Sequence, residues 1–286
     1  MTIAIIGLGE VGRSYAAALR GANAALVLCD AHPAPAARAL ADEAGLALHE
    51  RFGGWIGAPE WILSCVTGGQ ALAVAQGVAV EGRPGQIFAD LTTASPATKR
   101  QAAATVQASG MEYVDVAIMG SVAMMGARTP LLAAGAQADA FCALIGRAGG
   151  RASSLRDSQA GDAIALKIMR SIYTKGLEAL AVELLLHAEH NGARDRLFAQ
   201  LSDLEEMPLR SLLEGLVRTH VVHARRRAHE VRDASAEMAA NGLPSLVLPG
   251  VAQRFDRTIA LLGDVTMPVA DISIEQALAM LAGTDR

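Results

Sequence analysis

A short β-rich run, Thr2–Ile6, feeds directly into Gly7-Leu8-Gly9-Glu10-Val11-Gly12, and a helical stretch over Val11–Leu19 follows. Strand, G-x-G-x-x-G and helix in that order constrain the fold more than any other feature of the chain. The first glycine permits a tight turn, the second lets backbone approach a pyrophosphate, and the third lets the helix pack closely on the strand. The helix start then offers unpaired N–H groups and the positive end of its dipole to phosphates. Gly7, Leu8, Gly9, Glu10, Val11 and Gly12 are therefore the expected dinucleotide loop, the alternative being a glycine-rich turn with no ligand. Asp30 closes the next β-rich run, and Ala31 and His32 follow it with no Arg. A carboxylate there accepts hydrogen bonds from ribose hydroxyls and repels a 2′-phosphate, which favours NAD over NADP.

The first half continues the alternation. Further strands are expected at Ala25–Cys29, Trp61–Cys65, Ile87–Leu91, Tyr113–Val116 and Pro130–Ala134, with helices at Pro35–Ala44, Gln70–Val78 and Pro96–Ser109. Such alternation builds a mostly parallel sheet covered on both faces, a doubly wound Rossmann domain. From Asp157 onward no strand pattern recurs. Ala160–Asn191 reads as one long helix stopped at Asn191-Gly192. Helices follow at Arg194–Leu201, Leu209–Arg227, Ala228–Asn241, Val251–Leu262 and Ile274–Leu281, with Gly242-Leu243-Pro244 and Leu248-Pro249-Gly250 as punctuation. The expected organisation is thus an α/β N-terminal domain over residues 1–157 and an all-α domain over residues 158–286, joined by the long helix.

Composition narrows the function classes. Hydrophobic residues make up 52% of the chain and aromatics only 3%, so the core is aliphatic. A net charge of −4 and a pI near 6.0 argue against a nucleic-acid partner. No apolar run reads as a membrane span, no basic leader precedes the first strand, and Cys29, Cys65 and Cys142 form no paired motif. The expectation is a cytoplasmic protein. His187/His190 and His220/His223 each place two imidazoles on one helical face, but no Cys or carboxylate completes a ligand set, so no metal is expected.

Lysine usage points to chemistry. Of 25 basic residues only three are lysines, namely Lys99, Lys167 and Lys175, so 22 are arginines. Arg stays charged, whereas a buried Lys can exchange a proton. Lys167 lies between Leu166 and Ile168, in Gly161-Asp162-Ala163-Ile164-Ala165-Leu166-Lys167-Ile168-Met169-Arg170-Ser171. It is the candidate general acid or base, the alternative being a snorkelling helix residue.

These segments together resemble the β-hydroxyacid dehydrogenase family, related to 6-phosphogluconate and 3-hydroxyisobutyrate dehydrogenases. The glycine loop is similar to that family's G-x-G-x-M-G, with Val11 for Met. Cys65-Val66-Thr67 falls at its cofactor-contacting strand end, and Asp90-Leu91-Thr92-Thr93-Ala94-Ser95-Pro96 is similar to its D-x-S-T-x-x-P segment. Asp115-Val116-Ala117-Ile118-Met119-Gly120-Ser121 stands at its D-A-P-V-S-G-G substrate loop, and Lys167 at the lysine of G-x-x-x-K-x-x-N-N. Glu183 and Gly192 continue that helix in register. Three departures set the chain in a divergent branch: Met119 replaces the loop serine, Ser171 replaces the helix asparagine, and His229-Glu230 lies near the place of a later Lys-Asp pair.

The resemblance implies hydride transfer between a nicotinamide and a 3-hydroxy acid, or the matching aldehyde or keto acid. Lys167 then exchanges the hydroxyl proton, its amine desolvated by Leu166, Ile168 and Met119. Val66, Thr67, Thr92 and Thr93 contact cofactor, while Met119, Gly120, Ser121, Ser171, Lys175 and His223 bind substrate in a cleft between the domains. The Ala- and Leu-rich long helix is expected to pack against a second copy in a homodimer. Two rival expectations are an imine or ketone reductase on the same scaffold and a non-catalytic dinucleotide sensor.

Overall fold

The alternation becomes an eight-stranded sheet in the computed structural model, which describes residues 1–266 and 268–283. Its strands are β1 (Thr2–Ile6), β2 (Ala25–Cys29), β3 (Leu48–His49), β4 (Trp61–Ser64), β5 (Ile87–Asp90), β6 (Glu112–Ile118), β7 (Pro130–Ala134) and β8 (Arg151–Ser154). They lie in the order β3-β2-β1-β4-β5-β6-β7-β8. Strands β1 to β6 pair in parallel, β7 runs antiparallel to β6, and β8 is parallel to β7. Helices α1 (Glu10–Gly21), α2 (Pro35–Ala44), α3 (Ala71–Glu81), α4 (Pro96–Ala108), the short α5 (Val122–Met125) and α6 (Ala138–Arg147) connect them.

Successive residues of a strand serve opposite faces. Ile3, Ile5, Leu63 and Val114 pack with Tyr15 and Leu19 of α1 and with Phe141 and Leu144 of α6. Ala4, Ile6, Ile62 and Phe88 pack on the other face with Val74 and Val78 of α3 and Ala102 and Val106 of α4. Both faces are covered, which is why these strands read as apolar runs. Strand order reverses between β1 and β4, and ligand crevices form at such a switch point, at the carboxyl ends of the strands. Strands β3 and β8 were not expected. One has two residues, and the other, Arg-Ala-Ser-Ser, lies at the sheet edge without apolar alternation.

Chain contacts define two compact units, Met1–Ile172 and Tyr173–Arg286. The long helix, α7 (Asp162–His190), has residues in both. The second unit continues with α8 (Arg194–Gln200), α9 (Ser202–Glu205), α10 (Leu209–Ala240), α11 (Leu248–Leu262) and α12 (Ile274–Ala282). The expected break between Arg227 and Ala228 is absent, because the buried stripe Val221, Ala224 and Ala228 runs straight through it. Leu248-Pro249-Gly250 also does not separate helices. Pro249 sits in the first turn of α11, where its missing N–H would be unpaired anyway.

Candidate active site

The glycine loop is shaped by close approaches that only glycine allows. Gly7 has φ +88°, and a Cβ on it would stand 2.8 Å from Val66 Cγ1. A Cβ on Gly12 would stand 1.9 Å from the Gly7 carbonyl oxygen, so helix α1 can sit this near its strand only without a side chain there. Gly9 differs: nothing lies within 4 Å of where its Cβ would be. The missing side chain leaves open space beside the helix start, and no side chain caps that start. Space and unpaired amides together fit a pyrophosphate.

The space belongs to a cleft of about 690 Å³. Gly7, Gly9, Asp30, Val66 and Thr67 line it, whereas Leu8, Glu10, Val11, Gly12, Thr92 and Thr93 do not, and Cys29, Phe52 and Val74 add apolar wall. Asp30 holds the loop as well as facing the cleft. One carboxylate oxygen accepts from the Leu8 N–H at 2.6 Å and the other from His32 N–H at 2.9 Å. Sequence reading missed Arg51. It follows the two-residue β3, which no periodicity reveals, and it brings a cation into the same wall as Asp30 and His32.

The carboxyl edge of the sheet carries a second constellation. Ser64, Asp90 and Asp115 occupy one register row across β4, β5 and β6. The fully buried Lys99 of α4 reaches Asp90 Oδ1 at 3.1 Å and Asp115 Oδ1 at 3.2 Å, and donates to the Asp90 carbonyl at 2.6 Å. The Tyr113 hydroxyl donates to Asp90 Oδ2 at 2.7 Å, and burial followed by Asp90 holds this phenol far above its ordinary value. Asp115 Oδ2 accepts from the amides of Gly161 at 3.0 Å and Ile164 at 3.2 Å, which caps α7. Gly161 has φ +97°, and a Cβ on it would meet the Pro96 carbonyl oxygen at 3.0 Å. In the sequence, Lys99 stands out only as one of three lysines in an arginine-rich chain; its role appears once α4 sets it between β5 and β6.

Lys167 lies one turn beyond that capped start. Its half-buried amine donates to Thr93 Oγ1 at 3.1 Å, so the loop after β5 meets α7. Burial lowers the amine below its ordinary value, and the Lys99 charge lowers it further. The expected source of burial needs correction. Leu166 is 41% exposed and Ile168 46%, whereas Ala163 and Ile164, one turn back on the lysine's own face, are buried. Met119 packs against Ala117, Ala134 and Ala163, near the same turn. Thr92 is buried, its N–H bonded to Asp90 and its hydroxyl without a protein partner.

Other expected residues are placed as follows. Gly120 and Ser121 are exposed just past β6, and the Ser121 carbonyl accepts from Thr129. The Ser171 hydroxyl donates to the Lys167 carbonyl at 2.9 Å. Lys175 and His223 lie in the second unit, Lys175 paired with Glu178 and His223 half-buried on α10. Among the described residues no helix is long and apolar enough to cross a membrane.

Residues 2–144 match the family described as the NAD binding domain of 6-phosphogluconate dehydrogenase, and residues 188–258 match DUF1932, a domain of unknown function. An uncharacterized 28.5 kDa protein of Methanothermus fervidus is 25% identical over 250 residues, covering 87% of this chain and 95% of that protein. A solved conserved protein of unknown function, described as structurally similar to 3-hydroxyacid dehydrogenases, is 29% identical with a TM-score of 0.63, covering 91% and 97% of the two chains. A reductive aminase from Aspergillus terreus, solved with NADPH and ethyl levulinate, shares the fold at TM-score 0.74 and 18% identity, over 100% and 99% of the chains. The first half of the chain thus belongs to the family of the 6-phosphogluconate dehydrogenase NAD binding domain, and the reductive aminase shares the fold.

Proposed function

We propose that this chain, which belongs to the family of the NAD-binding domain of 6-phosphogluconate dehydrogenase, is an NAD(P)-dependent oxidoreductase acting on a 3-hydroxy acid or the matching aldehyde or keto acid. The observation that carries this reading is Lys167: a half-buried amine, lowered below its ordinary value, held by Thr93 at the carboxyl edge of the sheet that also carries the dinucleotide cleft. A nicotinamide cofactor, when bound, supplies the hydride acceptor or donor.

The chain supplies the rest. Lys167 takes the hydroxyl proton as the carbinol becomes a carbonyl, and returns it in the reverse direction. An amine lowered in this way gives up its proton more readily than an ordinary lysine, which suits it to accept the hydroxyl proton and to return it. Thr93 holds Nζ in place. Gly120 and Ser121, exposed after β6, offer an amide and a hydroxyl to a substrate carboxylate, and Met119 shapes the apolar wall. Asp30 favours NAD through the ribose hydroxyls. Arg51 supports a second reading, in which a 2′-phosphate is tolerated and NADP also serves. The chain acts as a cytoplasmic homodimer through the exposed apolar face of α7.

A panel of 3-hydroxy acids, aldehydes, keto acids and imines, run with both cofactors in both directions, tests this reading. Reduction of NAD by a 3-hydroxy acid is the expected outcome. Turnover confined to imines would transfer the reading to the reductase rival, and cofactor binding without turnover to a sensor.

A further inference from the structure

Lys99 is absent from the proposed reaction, yet it is the most deeply buried cation among the described residues. At 0% exposure, an ammonium between two equally buried carboxylates is costly to desolvate and is kept only where its partners satisfy it. All three contacts lie within 3.2 Å. The network has a direction as well as a location. Asp90 ends β5, two residues before Thr92 and three before Thr93, and bonds the Thr92 amide. Asp115 lies in β6 and caps α7 through Gly161 and Ile164. Thr93 and the first turn of α7 are the two things that hold Lys167, and Lys99 bridges the carboxylates that anchor them.

We propose that Lys99 is a positioning residue for Lys167: by clamping Asp90 to Asp115 it fixes the Thr93 loop against the first turn of α7, and it presents a like charge to the Lys167 amine. The inference rests on the reading of Lys167 as the proton-transfer group. The charge effect has an independent sign. A like charge behind a half-buried amine favours its neutral form, and burial acts in the same direction. Other ionisable groups around this network are Asp90 on β5, which accepts from Tyr113, Asp115 on β6, Asp162 at the start of α7 and Arg100 of α4, whose guanidinium stands beside Gly161. Replacing Lys99 by a neutral residue leaves the two carboxylates uncompensated. Both changes push the Lys167 amine back toward its ordinary value, so the expected direction is unambiguous.

Three lysines make this directly measurable. Protein labelled with carbon-13 at the lysine ε position gives three lysine resonances, and Lys175, 73% exposed on the side chain, is the internal reference. In the wild type Lys167 should titrate below the ordinary lysine range. In Lys99→Met its midpoint should rise by about one pH unit, close to a tenfold fall in the neutral fraction at fixed pH, while Lys175 stays unmoved. Should Lys99→Met fail to fold, Lys99→Gln removes the charge while keeping a hydrogen-bond donor for the carboxylates, and the Lys167 midpoint should still rise. Lys99→Arg, which keeps the charge, should hold Lys167 low. A Lys167 midpoint unchanged in the neutral variants, or at the ordinary lysine value in the wild type, would overturn the proposal. The titration needs no substrate. A protein that shows this coupling but turns over no hydroxy acid would discredit the reaction assigned to Lys167 and leave the electrostatic link standing.

Discussion

The two compact units spend their apolar residues differently. In the first, two clusters sandwich the sheet, and large side chains such as Tyr15, Phe88 and Phe141 are fully buried. Even its polar residues are drawn inside, as Asp90, Lys99 and Asp115 show. In the second, the described core is small: Val221, Ile272 and Ala277, flanked by residues such as Val217 and Met280. Meanwhile α7 leaves Leu177 at 50% and Leu186 at 58% exposure. Leucines open to solvent at several successive turns of one helix are normally covered by a partner. The first unit thus owns a finished core with a cleft and a lysine at its edge, while the second carries apolar surface that its own fold leaves open. A second copy of the chain is the occupant proposed for that surface.

The comparison can be broken most forcefully on α7. Leu177 and Leu184 stand two turns apart on one face, and each leucine withdrawn from an interface costs roughly 1.5–3 kcal/mol. Leu177→Glu with Leu184→Glu should therefore convert a homodimer to a monomer by light scattering. A wild-type monomer would contradict the account of the second unit. A smaller effect belongs to the first unit. Gly12→Ala places a methyl 1.9 Å from the Gly7 carbonyl oxygen. Forcing that contact apart should cost roughly 1–3 kcal/mol, lower dinucleotide affinity at least about tenfold by calorimetry, and leave the dimer intact.

The smallest effect is electrostatic and lies in the second unit. Glu183 accepts from the Ser245 hydroxyl and from the Leu246 and Val247 amides just before α11. The Ser245 bond, and then the two amides, hold its carboxyl below the ordinary value against the opposing effect of burial. A carboxyl lowered by folding contributes stability that is complete above its unfolded value and is lost as pH falls through the lowered one. Unfolding of this unit should accordingly become easier in that acidic window. Glu183→Gln should flatten the dependence and cost about 1 kcal/mol or less at neutral pH, measured by chemical denaturation.

Legibility in the sequence followed the same divide. Strands β1, β2 and β7 match their expected ends residue for residue, because their apolar runs are set by one core. Lys167 stood out through lysine scarcity, and Asp30 through its place after β2. What escaped were features created by distant partners. Arg51 enters the cleft from a strand too short to leave a pattern, and Lys99 acquires meaning only when α4 lays it between β5 and β6. In the second unit, the expected helix end at Arg227 is not one: Arg226 pairs with Glu230 one turn on, the half-buried Arg227 donates to Thr219, and α10 continues through both.

The central claim, that the first unit holds a nicotinamide cofactor and Lys167 moves the proton, meets its most direct test in Lys167→Ala. Cofactor affinity and turnover of the best panel substrate are measured on the same preparation. The account predicts dinucleotide affinity within about twofold of wild type and turnover reduced by roughly 10²–10⁴. Turnover that survives the loss of the amine, with cofactor still bound, would contradict it.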